Sequence, residues 1–227
     1  MKAAGTRAIL ATCLPAGAAI LVFGTLYGAA ARAIMGVPLT LASSLLIFSG
    51  ALQFALLALL SAGATLLPLV LIAVVLNLRH LVLGAVLRAR IEGSRRRRAA
   101  LAFFLVDETF GFAVAAGHAA ERAGAPVGPA IERTFLISGV VCYLAWQVGT
   151  LIGVLGVGLA GVERVAGAIF PVLFIGLASL AVTRRSHAVR ALAAALLTAG
   201  ITVAWPDLRV LAPVVAAVLV ALPGGER

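Results

Sequence analysis

The chain has 227 residues, of which 63% are apolar and only 11% charged, with a mean hydropathy of +1.16. Soluble domains carry about 45–50% apolar and about 25% charged residues, so a soluble enzyme or binding module is excluded and an integral membrane protein is expected. The net charge of +10 does not point to nucleic acid, because the basic residues lie in short loops between apolar runs, where the positive-inside bias puts them.

The apolar runs cover 10–31, 39–60, 66–87, 99–120, 134–160, 165–182, 188–204 and 210–222. They predict an all-α fold: a polytopic helical bundle forming one transmembrane domain over residues 1–227, in the lipid bilayer, with no room for a soluble module. The first run extends from Ala8 to about Ala31, too long for the apolar core of a cleaved signal. It is expected to stay as the first helix. Cys13 and Cys142 lie in apolar surroundings and read as small buried hydrophobes. No metal or other cofactor is expected.

Eight full crossings would divide the Lys and Arg residues eight against nine between the two sides, which is no bias at all. The balance changes if 39–60 and 134–160 are interrupted or re-entrant and do not change sides. Lys2, Arg7, the six arginines between Arg88 and Arg98, Arg184, Arg185, Arg190 and Arg227 then share the cytoplasmic side. Arg32, Arg122, Arg133, Arg164 and Arg209 lie outside. The positive-inside bias favours this arrangement.

The two suspect runs also look alike. One holds Leu46-Ile47-Phe48-Ser49-Gly50 and the other Phe135-Leu136-Ile137-Ser138-Gly139. Each Ser is followed four positions later by Gln53 or Cys142 and then by Phe54 or Tyr143. A Phe-Gly pair precedes each, at Phe23-Gly24 and Phe110-Gly111. An interrupted hydrophobic segment recurring at the same place in both halves is a transporter signature. The expected halves are 8–90 and 99–185, followed by two C-terminal helices within 188–222, with Ser138 and Gly139 as the counterparts of Ser49 and Gly50.

Asn77-Leu78-Arg79-His80 sits inside the third run. An Arg at the centre of a membrane helix costs about 2.5–3.5 kcal/mol on insertion scales, so Arg79 is expected to face the bundle interior and meet a partner. Asp107-Glu108-Thr109 supplies it. Arg79 lies eight residues before Leu87 and Asp107 eight after Ala99, so both sit about 12 Å from the same loop. Two carboxylates face one arginine, and Asn77, His80 and Thr109 add polarity beyond what a structural pair needs. An acid without a partner inside a membrane is a proton or substrate site by default. His118 shares the face of Asp107 and extends that polar path or sits at the membrane surface; His187 reads as solvated.

The blocks at 77–80, 48–54 (Phe-Ser-Gly-Ala-Leu-Gln-Phe) and 107–110 (Asp-Glu-Thr-Phe) resemble, in this order, those of the AzlC-like family, the large subunit of branched-chain amino acid exporters. Val22-Phe23-Gly24-Thr25-Leu26-Tyr27-Gly28 is similar to that family's Pro-Phe-Gly-x-x-x-Gly motif, with Val in place of Pro. The resemblance spans roughly residues 10–185. It implies a bacterial inner-membrane, multi-pass exporter of valine, leucine, isoleucine or methionine that works with a small AzlD-type subunit. No Gly-x-x-x-x-Gly-Lys-Ser/Thr loop supports an ATP-driven role.

A zwitterion in low dielectric needs a fixed partner for each charge. Arg79, or the N–H groups of a half-helix starting near Gly50, suits the carboxylate; Asp107 or Glu108 suits the ammonium or a coupling proton. Ser49, Gln53, Asn77, His80 and Thr109 complete the expected pathway. Three other readings compete: carriage of another small hydrophobic solute, a non-transporting scaffold subunit, and an intramembrane serine protease. The last is weak, because Ile47 and Leu136 occupy the positions two before each Ser where a Gly is wanted, so no enzyme is expected.

Overall fold

A computed structural model describes residues 5–91, 94–156, 185–206 and 212–221, and all regular structure among them is helical. The helices are α1 (Thr6–Leu46), α2 (Gly50–Ser61), α3 (Leu66–Arg88), α4 (Arg95–Ala102), α5 (Asp107–Arg122), α6 (Val127–Leu155), α7 (Arg185–Ala204) and α8 (Ala212–Ala221). Three of them, α1, α3 and α6, are long and apolar enough to cross a membrane. The run 165–182 and the end of the 99–185 half lie outside the described residues.

The pair α1 and α6 forms the spine. Arg133 Nη2 donates to Thr6 Oγ1 (2.7 Å) near one end, and Arg32 Nη1 donates to the Val154 carbonyl (2.5 Å) near the other. Sequence numbers rise together along both helices, so they run parallel. Between these ends Gly24 and Gly28 of α1 lie directly on the α6 backbone at Trp146 and Thr150. Gly149 and Gly153 of α6 lie on the α1 backbone at Leu21, Thr25 and Ala29. Small residues spaced four apart let membrane helices approach this closely.

The course of α1 is not straight. Gly36 has φ 74° and ψ 171°, a conformation open essentially to glycine alone. Tyr27 Oη lies 2.6 Å from Ser43 Oγ, although 16 residues of continuous helix would separate them by about 24 Å. The chain therefore folds back at Gly36 and descends beside its own preceding turns. Its helix stops at residues 47–49 and restarts as α2, whose Phe54 packs edge-on to Tyr27 (centroids 5.9 Å). Both arms thus pass Tyr27. The segment 37–61 is a hairpin that dips into the bundle and returns to the end it came from, which is the interruption expected in the run 39–60.

The second interruption falls elsewhere than expected. The sequence places it at Ser138-Gly139, but α6 is continuous there, and buried Ser138 donates back to the Phe135 carbonyl of its own helix (3.2 Å). Gly139 serves packing, since a β-carbon on it would fall 2.6 Å from Phe104 Cβ. The break lies instead at residues 103–106, inside the run 99–120. Going up α6, Arg97 of α4 pairs with Glu132 and Phe104 sits on Gly139. Going back down, Gly117 of α5 faces Ile131 and Val127. Helices α4 and α5 therefore make a hairpin inserted from the end opposite the first.

One correction follows for the charges. Arg122 and Arg133, expected opposite the arginine-rich loop, lie at the same end as Arg7, Arg88, Arg90 and Arg95–Arg98, because α5 returns to the end where α4 began. Among the described residues up to 156, Arg32 lies at the other end and Arg79 between.

A long apolar helix followed by an inserted hairpin thus occurs twice, over 6–61 and 66–122, with opposite directions. One core cluster (Tyr27, Phe54, Leu57, Trp146) fixes the first hairpin and another (Leu87, Leu101, Leu105, Ile131, Phe135) the second. The tips meet through Tyr143, whose ring lies 5.4 Å from Phe48 and 5.3 Å from Phe103.

Candidate functional site

Where the tips meet, a cavity of about 270 Å³ is lined by Ile20 and Phe23 of α1, Phe48, Ser49, Gly50, Ala51 and Phe54 of the first hairpin, Arg79 of α3, Val106, Asp107 and Glu108 of the second hairpin, and Trp146 of α6. Two helices begin in it. The N-cap of α2 is Ser49 and that of α5 is Val106, and neither uses its side chain to cap the following N–H groups. The first turn of a helix leaves N–H groups without intrahelical partners and carries about half a unit of positive charge. Two such ends converge on one space.

Arg79 Nη1 donates to Asp107 Oδ2 at 2.6 Å. The depth matching in the sequence brought these two residues together, though by a different route from a straight helical hairpin. Asp107 is the first residue of α5 and Glu108 the second, so the helix dipole favours both carboxylates. Glu108 makes no ion pair among the described residues and faces the cavity. The side chains of Arg79 and Asp107 remain 39% and 53% exposed.

Thr109 does not join the charged surface. Its buried Oγ1 accepts from the Val106 N–H (3.0 Å), and its hydroxyl hydrogen faces the carbonyls of Phe104 (2.7 Å) and Val106 (2.9 Å). It knots the break and thereby sets where Asp107 and Glu108 begin. Asn77 and His80 line a neighbouring cavity with Ile47, Phe48, Ser49 and Phe103. The Asn77 amide is turned back to the Ala73 carbonyl (2.8 Å). Ser49 is common to both cavities.

Several polar atoms around the tips are buried without a good hydrogen bond among the described residues: Ser49 Oγ, both amide atoms of Gln53, Arg79 Nε, His80 Nδ1 and Trp146 Nε1. Gln53 lies beside the Tyr27 hydroxyl, behind the cavity wall rather than on its surface. Buried polar atoms of this kind cost about 1–3 kcal/mol each, and their gathering at two helix tips marks a site rather than a packing region. Ser138 and Gly139 belong to α6 and its contact with Phe104, and neither lines this cavity. His118 is exposed, 3.8 Å from Glu121 near the arginine-rich end.

The apolar walls were not read from the sequence. Ile20, Phe23 and Trp146 reach the cavity only through the parallel packing of α1 on α6. The short descending arm is tied to α6 by Ser44, whose Oγ lies 2.9 Å from Thr150 Oγ1 and whose carbonyl accepts from Gln147 Nε2 (2.9 Å). The break at 103–106 did carry a signal: Asp107-Glu108 is what the first turn of a helix prefers.

Discontinuous helices that aim their N-termini at a charged cavity among long apolar helices define an all-helical membrane protein. The chain belongs to the AzlC family, a transport-associated family: the AzlC protein family matches residues 15–159, which hold most of α1, all of α3 and α6, and both hairpins. Two relatives, from two strains of Helicobacter pylori and each named "Uncharacterized membrane protein", are 32% identical over 133 residues. That match covers 56% of this chain and 55% of each relative, so the chain spans about half the length of the curated relatives it matches. No solved structure matches it.

Proposed function

We propose that the chain is a bacterial inner-membrane, multi-pass exporter of branched-chain amino acids (valine, leucine, isoleucine and, by size and polarity, methionine). It is coupled to the proton-motive force and works with a small AzlD-type subunit. The observation that carries this reading is the cavity between the two hairpin tips. It sets two helix N-termini, an Arg–Asp pair and Glu108, which has no ion pair among the described residues, against a wall of Ile20, Phe23, Phe54 and Trp146. At about 270 Å³ it lies just below the usual range of drug-sized pockets, about 300–1,000 Å³, and suits a small solute.

In this reading the substrate carboxylate lies at the N-termini of α2 and α5, near Ser49 and Arg79. The ammonium lies at Glu108, and the aliphatic side chain lies on the aromatic wall. Asp107 or Glu108 carries the coupling proton, since a carboxylate that trades an arginine or ammonium partner for a proton changes charge without leaving the site. The arginine-rich end faces the cytoplasm by the positive-inside bias. The partner subunit in this reading lies on α3, which among the described residues buries only Leu87. A small membrane protein against it would cover the side on which Arg79 and Asp107 stay open.

The test is efflux of labelled valine from loaded cells carrying Arg79→Ala, Asp107→Asn or Glu108→Gln. Each variant is expected to lose most of the efflux while keeping its level in the membrane. Normal efflux in the Arg79 and Asp107 variants would sink the assignment. Counterflow with a panel of amino acids, with and without a pH gradient, tests the substrate class and the coupling ion separately.

A further inference from the structure

Toward the arginine-rich end, between α3 and α4, a separate slot of about 240 Å³ is walled by Leu87, Leu101, Leu105 and Phe135, with Gly84 one helical turn deeper than Arg88. Those four walls are buried. Arg88 and Arg98 also line it. Neither makes an ion pair among the described residues, whereas Arg97 in the same turn is taken by Glu132.

Depth identifies what such a slot can hold. Arg88 follows Arg79 by nine residues of continuous helix, or about 13 Å. The hydrocarbon core is about 30 Å thick, so half of it is about 15 Å. With the hairpin tips at mid-depth, Arg88 and Arg98 lie at the headgroup level while the slot reaches toward the acyl chains. Two arginines at headgroup depth, without an ion-pair partner among the described residues, beside an apolar channel match an amphiphile with an anionic head. The surrounding arginines assign this end to the cytoplasmic leaflet, where basic residues beside spanning helices meet anionic lipids.

We propose that this slot is a binding site for an anionic phospholipid, with its phosphodiester on Arg88 and Arg98 and one acyl chain along Leu87, Leu101, Leu105 and Phe135. Gly84 keeps the channel open: a β-carbon there would meet Leu105 Cδ2 at an ordinary 3.5 Å, so a longer side chain at this position enters the slot without disturbing the backbone. The site is independent of the transported solute. It would tie the second hairpin to α3 only in a membrane holding acidic lipid.

The full-length protein in detergent is titrated with phosphatidylglycerol and, separately, with phosphatidylcholine, and bound lipid is read by native mass spectrometry. Preference for phosphatidylglycerol is expected, weakened about tenfold or more in Arg88→Gln/Arg98→Gln because two charge-assisted contacts are lost. Arg95→Gln/Arg96→Gln removes the same charge outside the slot and is expected to change affinity less than about twofold. Gly84→Leu is expected to weaken binding with both guanidinium groups in place. Should the double variant fail to fold, Arg98→Gln alone carries the comparison. Equal losses in the two double variants would show diffuse attraction and overturn the proposal. So would equal binding of the two lipids, an unaffected Gly84→Leu, or full competition by inorganic phosphate or chain-free glycerophosphoglycerol.

Discussion

Replacing Gly28 by Ala tests the spine on which the site is built. A β-carbon at Gly28 would lie 2.9 Å from both Thr150 C and Thr150 Cα, and closer still to that residue's carbonyl oxygen. Backbone atoms cannot swing away as a side chain can, so α1 and α6 must separate by roughly 0.5–1 Å, which forfeits a quarter to a half of each dispersion contact across the seam. Overpacking of this kind costs about 1–3 kcal/mol; about 2 kcal/mol lowers the unfolding midpoint of a chain this size by roughly 4–8 °C. Gly111 is the control, for it is also helical but a β-carbon there meets nothing within 4 Å. Gly111→Ala should be neutral or gain about 0.5–1 kcal/mol from helix propensity. Thermal unfolding of both variants in the same detergent measures the gap. Because Ile20 and Phe23 ride on α1 and Trp146 on α6, efflux should fall in Gly28→Ala and persist in Gly111→Ala. Equal midpoints for the two variants would refute the close-packed parallel seam.

The remaining predictions concern the hairpins. Ser49→Ala is expected to impair solute binding, since Ser49 Oγ is buried and, among the described residues, unpartnered at the shared wall of two cavities. Ser138→Ala, which removes only a local bond within α6, should leave transport intact and change stability by less than about 0.5 kcal/mol. Thr109→Val strips the acceptor from the Val106 N–H; at about 1–2 kcal/mol the first turn of α5 should exchange its amide hydrogens roughly 5–30 times faster. Unchanged exchange would mean that Thr109 does not hold the break. Cys13 and Cys142 are fully buried, so single reporter cysteines can be read against a quiet background. Arg96→Cys and Arg122→Cys should label from the same side of the membrane and Arg32→Cys from the other. Labelling of the first two from opposite sides would show that the second hairpin crosses.

Composition and run length were enough to make this an all-helical membrane protein, because continuous apolar runs of about 20 residues fit spanning helices and not the short alternating strands of a closed barrel. The energetic cost of Arg79 was also local information, and its match with Asp107 followed from counting rise per residue along two runs that share a loop. The break before Gly50 was legible from Ser-Gly and the charge asymmetry. The second break was not read correctly. Ser138-Gly139 repeats the letters of Ser49-Gly50, yet Gly139 is small because Phe104 lies on it, while the true tip at 103–106 is held by Thr109 and announced only by acids suited to a first helical turn.

What no run of letters contained was direction. An apolar stretch of about 20 residues reads the same whether it crosses or returns, since its hydropathy does not depend on which end it leaves by. Contacts distant in sequence decided that: Tyr27 touched by both arms of one hairpin, Glu132 and Ile131 by both arms of the other, and four glycines locking α1 parallel to α6. Those contacts place Ile20, Phe23 and Trp146 around Arg79 and Asp107. The sequence thus determined the membrane, the helices and the charged pair; the packing alone decided that two helix ends meet across that pair, because an end acquires an opposite number only once the chain has folded back on itself.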